Sequence, residues 1–369
     1  MMKIAYILDS AEGGGVALPV PMVTRVLRNA GAQVEVFILT KRDGRAIAPM
    51  LADGLTVRVR EGSGRDHIAA YRWLEEQLAA YQPNLLWTSL TRSTVLGLSI
   101  GKRLGIPVVC WQHNAFLQPL RELLLYFLRK RPVMWVGDSD MVSAETAKRF
   151  KVPAERLACW PLFAVTPDAP QSIPWQAGQT LRLGSLGRLH AQKGYDILIA
   201  ALAQLKKRGF VAATPFELVI AGDGREQENL LEAAKQAGVA DQVRFLGYAE
   251  HPRAFLAGLH LYLQPSRFEG FCIAMHEAMQ ASLPVIASRV GQMPYTIEAN
   301  SSGWLVPPKN VNALADALAE ALSHPERLST MGQAARARVY PRYSAEAFQL
   351  AGENILARLE KQGIINLAK

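Results

Sequence analysis

Cysteine is scarce in this chain. Cys110, Cys159 and Cys272 are the only three among 369 residues, and their separations fit no metal-ligand spacing. An odd number of dispersed thiols argues against a disulfide framework and for buried free cysteines in a reducing compartment. Long apolar runs are missing as well. No 18 consecutive apolar residues occur, so no membrane span is expected. The opening "MMKIAYILDSAEGGG" carries too short an apolar segment for a secretory leader, and a cytoplasmic location is expected.

Several functional fingerprints are absent too. Neither "DSAEGGGVALP" nor "AGDGREQ" follows G-x-G-x-x-G, so a nicotinamide-binding turn is excluded. No phosphate-loop sequence G-x-x-x-x-G-K-[ST] occurs. "HEAMQ" has Gln280 where a zincin needs its second histidine. "DSD" at 138–140 looks like a metal-binding acid pair, but it precedes "MVSAETAKRF", where Asp and Ser are ordinary helix caps, and capping is the preferred reading. The net charge is +9, from 41 Lys and Arg against 32 Asp and Glu. That excess suits solubility, an anionic ligand or an anionic membrane surface. Without a dense basic tract interleaved with aromatics, nucleic acid is not expected as a partner.

Half the residues are hydrophobic, and the length suits two domains. Buried strands are predicted at "KIAYILD", "QVEVFIL", "GLTVRVR", "NLLWTSL" and "IPVVCWQHN", with helices over 69–83 and "STVLGLSIGKRLG". Residues 165–180 hold three prolines and no period, which reads as a linker. A second strand–helix series then runs from "LRLGSLGRL" to "NVNALADALAEALSH". The fold class is therefore α/β, with two tandem Rossmann-like, doubly wound domains and a cleft between them. Their bounds are set at 1–165 and 166–344. Periodicity does not say which domain takes the helix of 345–369.

Ligands of such sheets lie beyond the carboxyl ends of the strands, so residues there carry the interest. In "SRFEGFCIAMHEAMQASLPVIAS", Gly270 to Ile273 are predicted to form the first turn of a helix, offering amide donors to an anion or to hydroxyls. Glu269 stands just before them. Glu277, eight residues on, falls about two turns deeper, too far to share a proton with Glu269. The two acids then hold different parts of one extended ligand, or they are a dipole-favoured helix start and a surface acid. Arg188 and Lys193 flank a glycine loop in "GSLGRLHAQKGYDIL" and suit a diphosphate, or they are two solvated cations. Gly13, Gly14 and Gly15 allow close approach of backbone to a ligand. His113 ends a strand and is either a cleft residue or a structural histidine. The stretch 117–136 joins bulky apolar residues to Arg121, Arg129, Lys130 and Arg131, and reads as one packed helix with a basic end or as a segment lying on an anionic membrane.

Taken together, these stretches resemble the retaining glycosyltransferases of family four, which have the GT-B fold. The E-x7-E of Glu269 and Glu277 carries the likeness, followed in order by "LGRLHAQKGYDILIAAL", "LVIAGDGRE", "VRFLGY" and "GWLVPPKNVNALADAL". Cys272 and Ser282 stand where glycine is usual, and "CWPLFAVTPD" replaces the common turn between the domains. The resemblance implies a nucleotide-sugar donor, a UDP-sugar before a GDP- or ADP-sugar, with no metal or other cofactor. It implies that Arg188 and Lys193 bind the diphosphate, that Glu277 holds the ribose, and that Glu269 stands beside the donor sugar with the amides of Gly270, Phe271 and Cys272. By the same likeness the Gly14–Gly15 loop approaches the phosphates, His113 lies near the reacting sugar, and the final helix returns to the first domain. The expected partners are the nucleotide-sugar, a glycan or glycolipid acceptor such as lipopolysaccharide core, and an anionic membrane surface met through 117–131 on the inner face of the membrane. A sugar-nucleotide epimerase, a sucrose- or trehalose-type synthase and a non-catalytic sugar-nucleotide-binding protein are the alternatives on this fold.

Overall fold

The computed structural model describes residues 1–367. The chain divides into two compact units. The first takes Met1–Phe163 with the segment from Glu346 onward, and the second takes Ala164–Ala345.

The first unit is built on a parallel sheet of β1 (Met2–Leu8), β2 (Ala32–Ile38), β3 (Thr56–Val59), β4 (Leu85–Ser89), β5 (Val108–Gln112), β6 (Met134–Gly137) and β7 (Leu157–Cys159). Its order is β3-β2-β1-β4-β5-β6-β7. Ile4 of β1 pairs with Val34 on one side and Leu85 on the other, so chain direction reverses its winding between β1 and β4. These strands are apolar on both faces because helices cover both. β7 was not expected, and β6 is the strand that precedes residues 138–140. The stretch 117–136 is not one helix: the helix Pro119–Leu128 stops, Arg129–Arg131 turn, and β6 follows. The apolar run "VMWV" is a buried strand that periodicity cannot tell from helix at that length.

The final helix, Ala345–Lys361, meets this unit through aromatic packing. The indoles of Trp111 and Trp160 stack at 4.9 Å, Trp87 meets both edge-on, and Phe348 lies 5.2 Å from Trp160. Gly352 lets the helix approach the Trp160 ring.

The second unit is a parallel sheet of β8 (Leu181–Leu186), β9 (Phe216–Ala221), β10 (Val243–Gly247), β11 (Leu261–Gln264), β12 (Val285–Ser288) and β13 (Gly303–Val306). The order is β10-β9-β8-β11-β12-β13, with the winding reversed between β8 and β11. Helices Tyr195–Lys207 and Val311–Ser323 pack Leu198, Leu202, Leu314 and Leu318 into one core over this sheet. The linker has no regular structure and is held by Ser172, whose amide donates to Ala281 O at 2.8 Å.

Glycine in a helix interior ordinarily costs about 1 kcal/mol against alanine. At Gly352 the sign should reverse. An added Cβ would lie 2.5 Å from Trp160 Cζ2 and 2.8 Å from Val26 Cγ1, and an indole cannot yield. Gly352→Ala should destabilise the first unit by about 1–3 kcal/mol. Urea unfolding followed by tryptophan fluorescence reads this; a gain in stability would contradict the packing.

Candidate functional site

The chemistry-bearing residues of the second unit gather at the carboxyl ends of β8, β9 and β11. After β8 the chain passes Gly187 and Arg188 into a short 3-10 turn, Ala191–Lys193, capped by His190. Gly194 follows at φ +70°, where a Cβ would sit 2.2 Å from Pro265 O. Only glycine fits both demands. This contact ties the β8 turn to the loop after β11.

The tie brings Lys193 against Glu269, with Nζ to Oε1 at 2.7 Å. Glu269 is 7% exposed. Ser266 Oγ donates to the same Oε1 at 2.7 Å, and Gln264 Nε2 stands 3.3 Å away. Tyr262 Oη in turn donates to Gln264 Oε1 at 2.8 Å. A buried polar string thus runs from β11 to the carboxylate and fixes its orientation. Burial pulls the Lys193 ammonium down, but the Glu269 carboxylate outweighs it and the pKa is raised. Lys193 is therefore a charged, desolvated cation rather than a solvated one. Arg188 is exposed at the end of β8.

The helix carrying Glu277 begins later than the sequence suggested. It spans Ile273–Gln280, with Cys272 as its cap at φ +67°. Gly270–Cys272 are loop rather than first turn, and Glu277 lies about one turn inside the helix. A non-glycine residue in the left-handed region is strained by about 1–3 kcal/mol and marks a loop held by its surroundings. Cys272 is within electrostatic reach of Glu269, Lys193 and Glu277 together, so one small region contains both acids. Behind it, Phe271 stacks on His276 at 3.9 Å. His276 bridges Cys272 O and Thr296 Oγ1, and burial pushes its pKa down to about 3, so it is a neutral structural residue.

In the first unit, three residues at neighbouring strand ends meet. His113 Nε2 lies 2.6 Å from Ser89 Oγ, and Nδ1 faces Asp138 Oδ2 at 3.4 Å. All three are buried. Burial raises the pKa of Asp138, and its contact with His113 offsets part of that rise. Sequence reasoning missed Ser89, and it assigned the 138–140 stretch to capping. Ser139 is the cap, accepting from Val142 N at 3.1 Å, whereas Asp138 turns to His113. The available signal was that Ser89, His113 and Asp138 each sit at or one residue past the end of adjacent strands. The next residue after Ser89, Leu90, is strained at φ +80°. In the loop after β1, Gly13 N donates to Asp43 Oδ1 at 3.0 Å, and a Cβ on Gly14 would meet nothing within 4 Å. Gly14 and Gly15 have no left-handed backbone, so at Gly14 neither packing nor conformation demands glycine; what it leaves is open space.

Glu277 is half-buried, and desolvation lifts its pKa to about 7 against a smaller opposing pull from Arg253. Since the folded value lies above the ordinary carboxylate range, stability is lost as pH rises through 7. Glu277→Gln should therefore stabilise the second unit at pH 8, by on the order of 1–2 kcal/mol, and add little at pH 5. Urea unfolding at both pH values is the measurement; an equal gain at both, or a loss at pH 8, would contradict it.

Known proteins match the two units separately. The family described as "Glycosyltransferase Family 4" matches residues 13–164, and "Glycosyl transferases group 1" matches residues 174–338. A GDP-mannose-dependent alpha-(1-6)-phosphatidylinositol monomannoside mannosyltransferase of Mycobacterium tuberculosis is 35% identical over 171 residues, 44% of this chain and 43% of that protein. The chain thus spans less than half the length of that curated relative. Anabaena HepE in complex with UDP-glucose has the same fold at a TM-score of 0.83 and 19% identity, over 97% of this chain and 100% of that one. The lipopolysaccharide outer core galactosyltransferase WaaB follows at 0.75 and 18%, over 97% and 100%. Each unit is thus similar to a glycosyltransferase family of its own, the first over residues 13–164 and the second over residues 174–338, and the two parallel-sheet units have the architecture of the solved glycosyltransferases.

Proposed function

We propose that the chain is a metal-independent retaining glycosyltransferase that moves a sugar from a nucleotide-sugar to a growing surface glycan on a lipid, such as lipopolysaccharide core. The observation that carries this reading is the buried Lys193–Glu269 pair at the end of β8. An ammonium has three donors, and Glu269 takes one. The others remain for phosphate oxygens, while the carboxylate stands where a sugar would meet it. The bond from the anomeric carbon to the diphosphate breaks with its charge met by Lys193, Arg188 and the Gly270–Cys272 segment. The acceptor oxygen bonds to the same face, and its proton passes to a leaving phosphate oxygen. Glu277, partly protonated near pH 7, can exchange hydrogen bonds with the ribose hydroxyls. His113, held between Ser89 and Asp138, lies at the ligand end of its own sheet and is assigned to the reacting sugar. Gly14 and Gly15 are assigned, by the family resemblance, to the approach of backbone to the phosphates, and open space at Gly14 is compatible with that role.

A UDP-sugar is favoured as donor. The solved relative HepE binds UDP-glucose, whereas the mycobacterial relative is named for GDP-mannose. A thermal-shift comparison of UDP-, GDP- and ADP-sugars identifies the base, because a binder of the folded state raises stability by RT ln(1 + [L]/Kd). Arg188→Ala should lower the transfer rate about 10²- to 10³-fold, as expected for a preorganised charge-stabilising donor. Full activity in that variant would remove the role assigned to Arg188.

The acceptor side is supported by one helix. Pro119–Leu128 leaves Leu120 77% and Phe127 72% exposed, with Leu123, Leu124 and Phe116 beside them. Arg121, Lys130 and Arg131 are exposed on and after it. Apolar side chains rimmed by cations fit an anionic lipid surface. Among the described residues no helix is long and apolar enough to cross a membrane, so the contact proposed is peripheral. Vesicles rich in phosphatidylglycerol should sediment the protein at low salt, and Leu120→Glu with Phe127→Glu should abolish this. No sedimentation of the unaltered chain rejects the contact.

A further inference from the structure

His190 is presented with two donors at once. Its Nδ1 is approached by the Gln192 amide at 3.2 Å, and its Nε2 by an Arg225 guanidinium nitrogen at 3.0 Å. A guanidinium never accepts, and a neutral imidazole has a single acceptor nitrogen. At most one of these contacts is satisfied; in the imidazolium, neither is. The backbone holds the two loops that carry these side chains together. The β8 and β9 loops are locked together, with Gly187 N donating to Ala221 O, Leu189 N to Asp223 O and Glu226 N to Leu189 O. A Cβ on Gly222 would lie 1.9 Å from Gly187 O, and one on Gly224 would lie 2.4 Å from Leu189 O. The two side chains therefore cannot drift apart by movement of their loops.

The charges around His190 have the same sign. Arg188 and Lys193 from its own turn and Arg225 from the β9 loop act on it, opposed by Glu226, which lies 3.6 Å from Arg225; Asp223 stands in the same β9 loop. What would settle both donors is an anion bearing several acceptor oxygens. We propose that His190 and Arg225 form a second anion grip beside Arg188 and Lys193, in which phosphoryl oxygens of the bound nucleoside diphosphate accept from both side chains. The proposal deepens the donor-binding reading and rests on it. On binding, Arg225 exchanges the histidine for phosphate, and the imidazole takes up a proton. The effect has a definite sign. Without ligand, burial and then the neighbouring cations hold His190 below its ordinary pKa. Phosphate charge raises it, so diphosphate affinity through this pair increases as pH falls from 8 towards 6. Glu277 works in the opposite sense if it holds ribose as a carboxylate, so a probe lacking ribose isolates the pair.

Calorimetry of the full chain with inorganic pyrophosphate, and separately with UDP, in two buffers of different ionisation enthalpy at pH 7 counts protons taken up. With each ligand the unaltered chain should take up more protons than His190→Gln, a difference in which the ionisation of the ligand and of Glu277 cancels, and Arg225→Gln should weaken UDP binding about tenfold, the loss of one charge-assisted contact. Binding of uridine alone should be unaffected by either change. Unchanged proton uptake in His190→Gln, or unchanged UDP affinity in Arg225→Gln, overturns the proposal. If the chain binds pyrophosphate with His190-dependent uptake but no nucleoside diphosphate, the grip stands for phosphoryl groups from another source, and the nucleotide-sugar reading falls. No difference in proton uptake between the unaltered chain and His190→Gln with pyrophosphate overturns the grip whatever UDP does.

Discussion

The salt link between Lys193 and Glu269 sets the terms for the rest of the second unit. Removing an ammonium and a carboxylate from water costs several kcal/mol per ion, and their attraction offsets that only when the remaining hydrogen-bonding capacity is met. Ser266 and Gln264 meet it on the acid's side. On the lysine's side the structure spends a glycine: any side chain at 194 would strike Pro265 O and push the β8 turn away from the β11 loop. Gly291 repeats the device, since a Cβ there would fall 2.4 Å from Gly270 O. Three loops are thereby held around two charges. Such a pair adds little net stability over an apolar alternative. Its retention makes sense if the charge itself is used, and a phosphate is what a desolvated ammonium with spare donors would meet.

Glu277 points the same way by a different route. A half-buried carboxylate whose pKa is lifted to about 7 by burial lowers the stability of the fold at neutral pH. Cys272, in the loop after β11, and Leu90, directly after β4, also have left-handed backbone, as do Arg42, Gln82, Lys151, Ser282, Asn300 and Lys309, so backbone strain of this kind is spread over the chain rather than confined to the strand ends.

The regular elements were legible because buried parallel strands and amphipathic helices leave strong patterns. β7 escaped because it is three residues long, and the break of 117–136 into helix, turn and the four-residue β6 was hidden by a continuous apolar composition. Arg188, Lys193, Glu269 and Glu277 could be picked out by spacing from strand ends, but the pairing of Lys193 with Glu269 could not. It depends on Gly194 and Pro265, residues 71 apart that carry no chemistry of their own. The start of the helix at Ile273 was also hidden. A cysteine in the left-handed region is a tertiary outcome, and local propensity gives no sign of it.

The histidines show what kind of chemistry the molecule is arranged to support. His276 is neutral and committed to Cys272 O and Thr296. His113 has one nitrogen on Ser89 and the other facing Asp138, and its side chain is 2% exposed. Both rings are buried and fixed in orientation, His276 by two hydrogen bonds and His113 by Ser89 with Asp138 3.4 Å from Nδ1. A reaction that needed a protein base to strip the acceptor would be poorly served by these groups. A reaction in which the departing phosphate takes that proton asks the protein only for fixed positive charge and shaped contact with the sugar. Lys193 supplies such charge, desolvated and oriented, and the buried Ser89–His113–Asp138 string gives His113 a single orientation at the ligand end of its own sheet. On the proposed reading, the arrangement would act as an electrostatic scaffold, with Glu269 aiming Lys193 and the Ser89–His113–Asp138 string fixing His113.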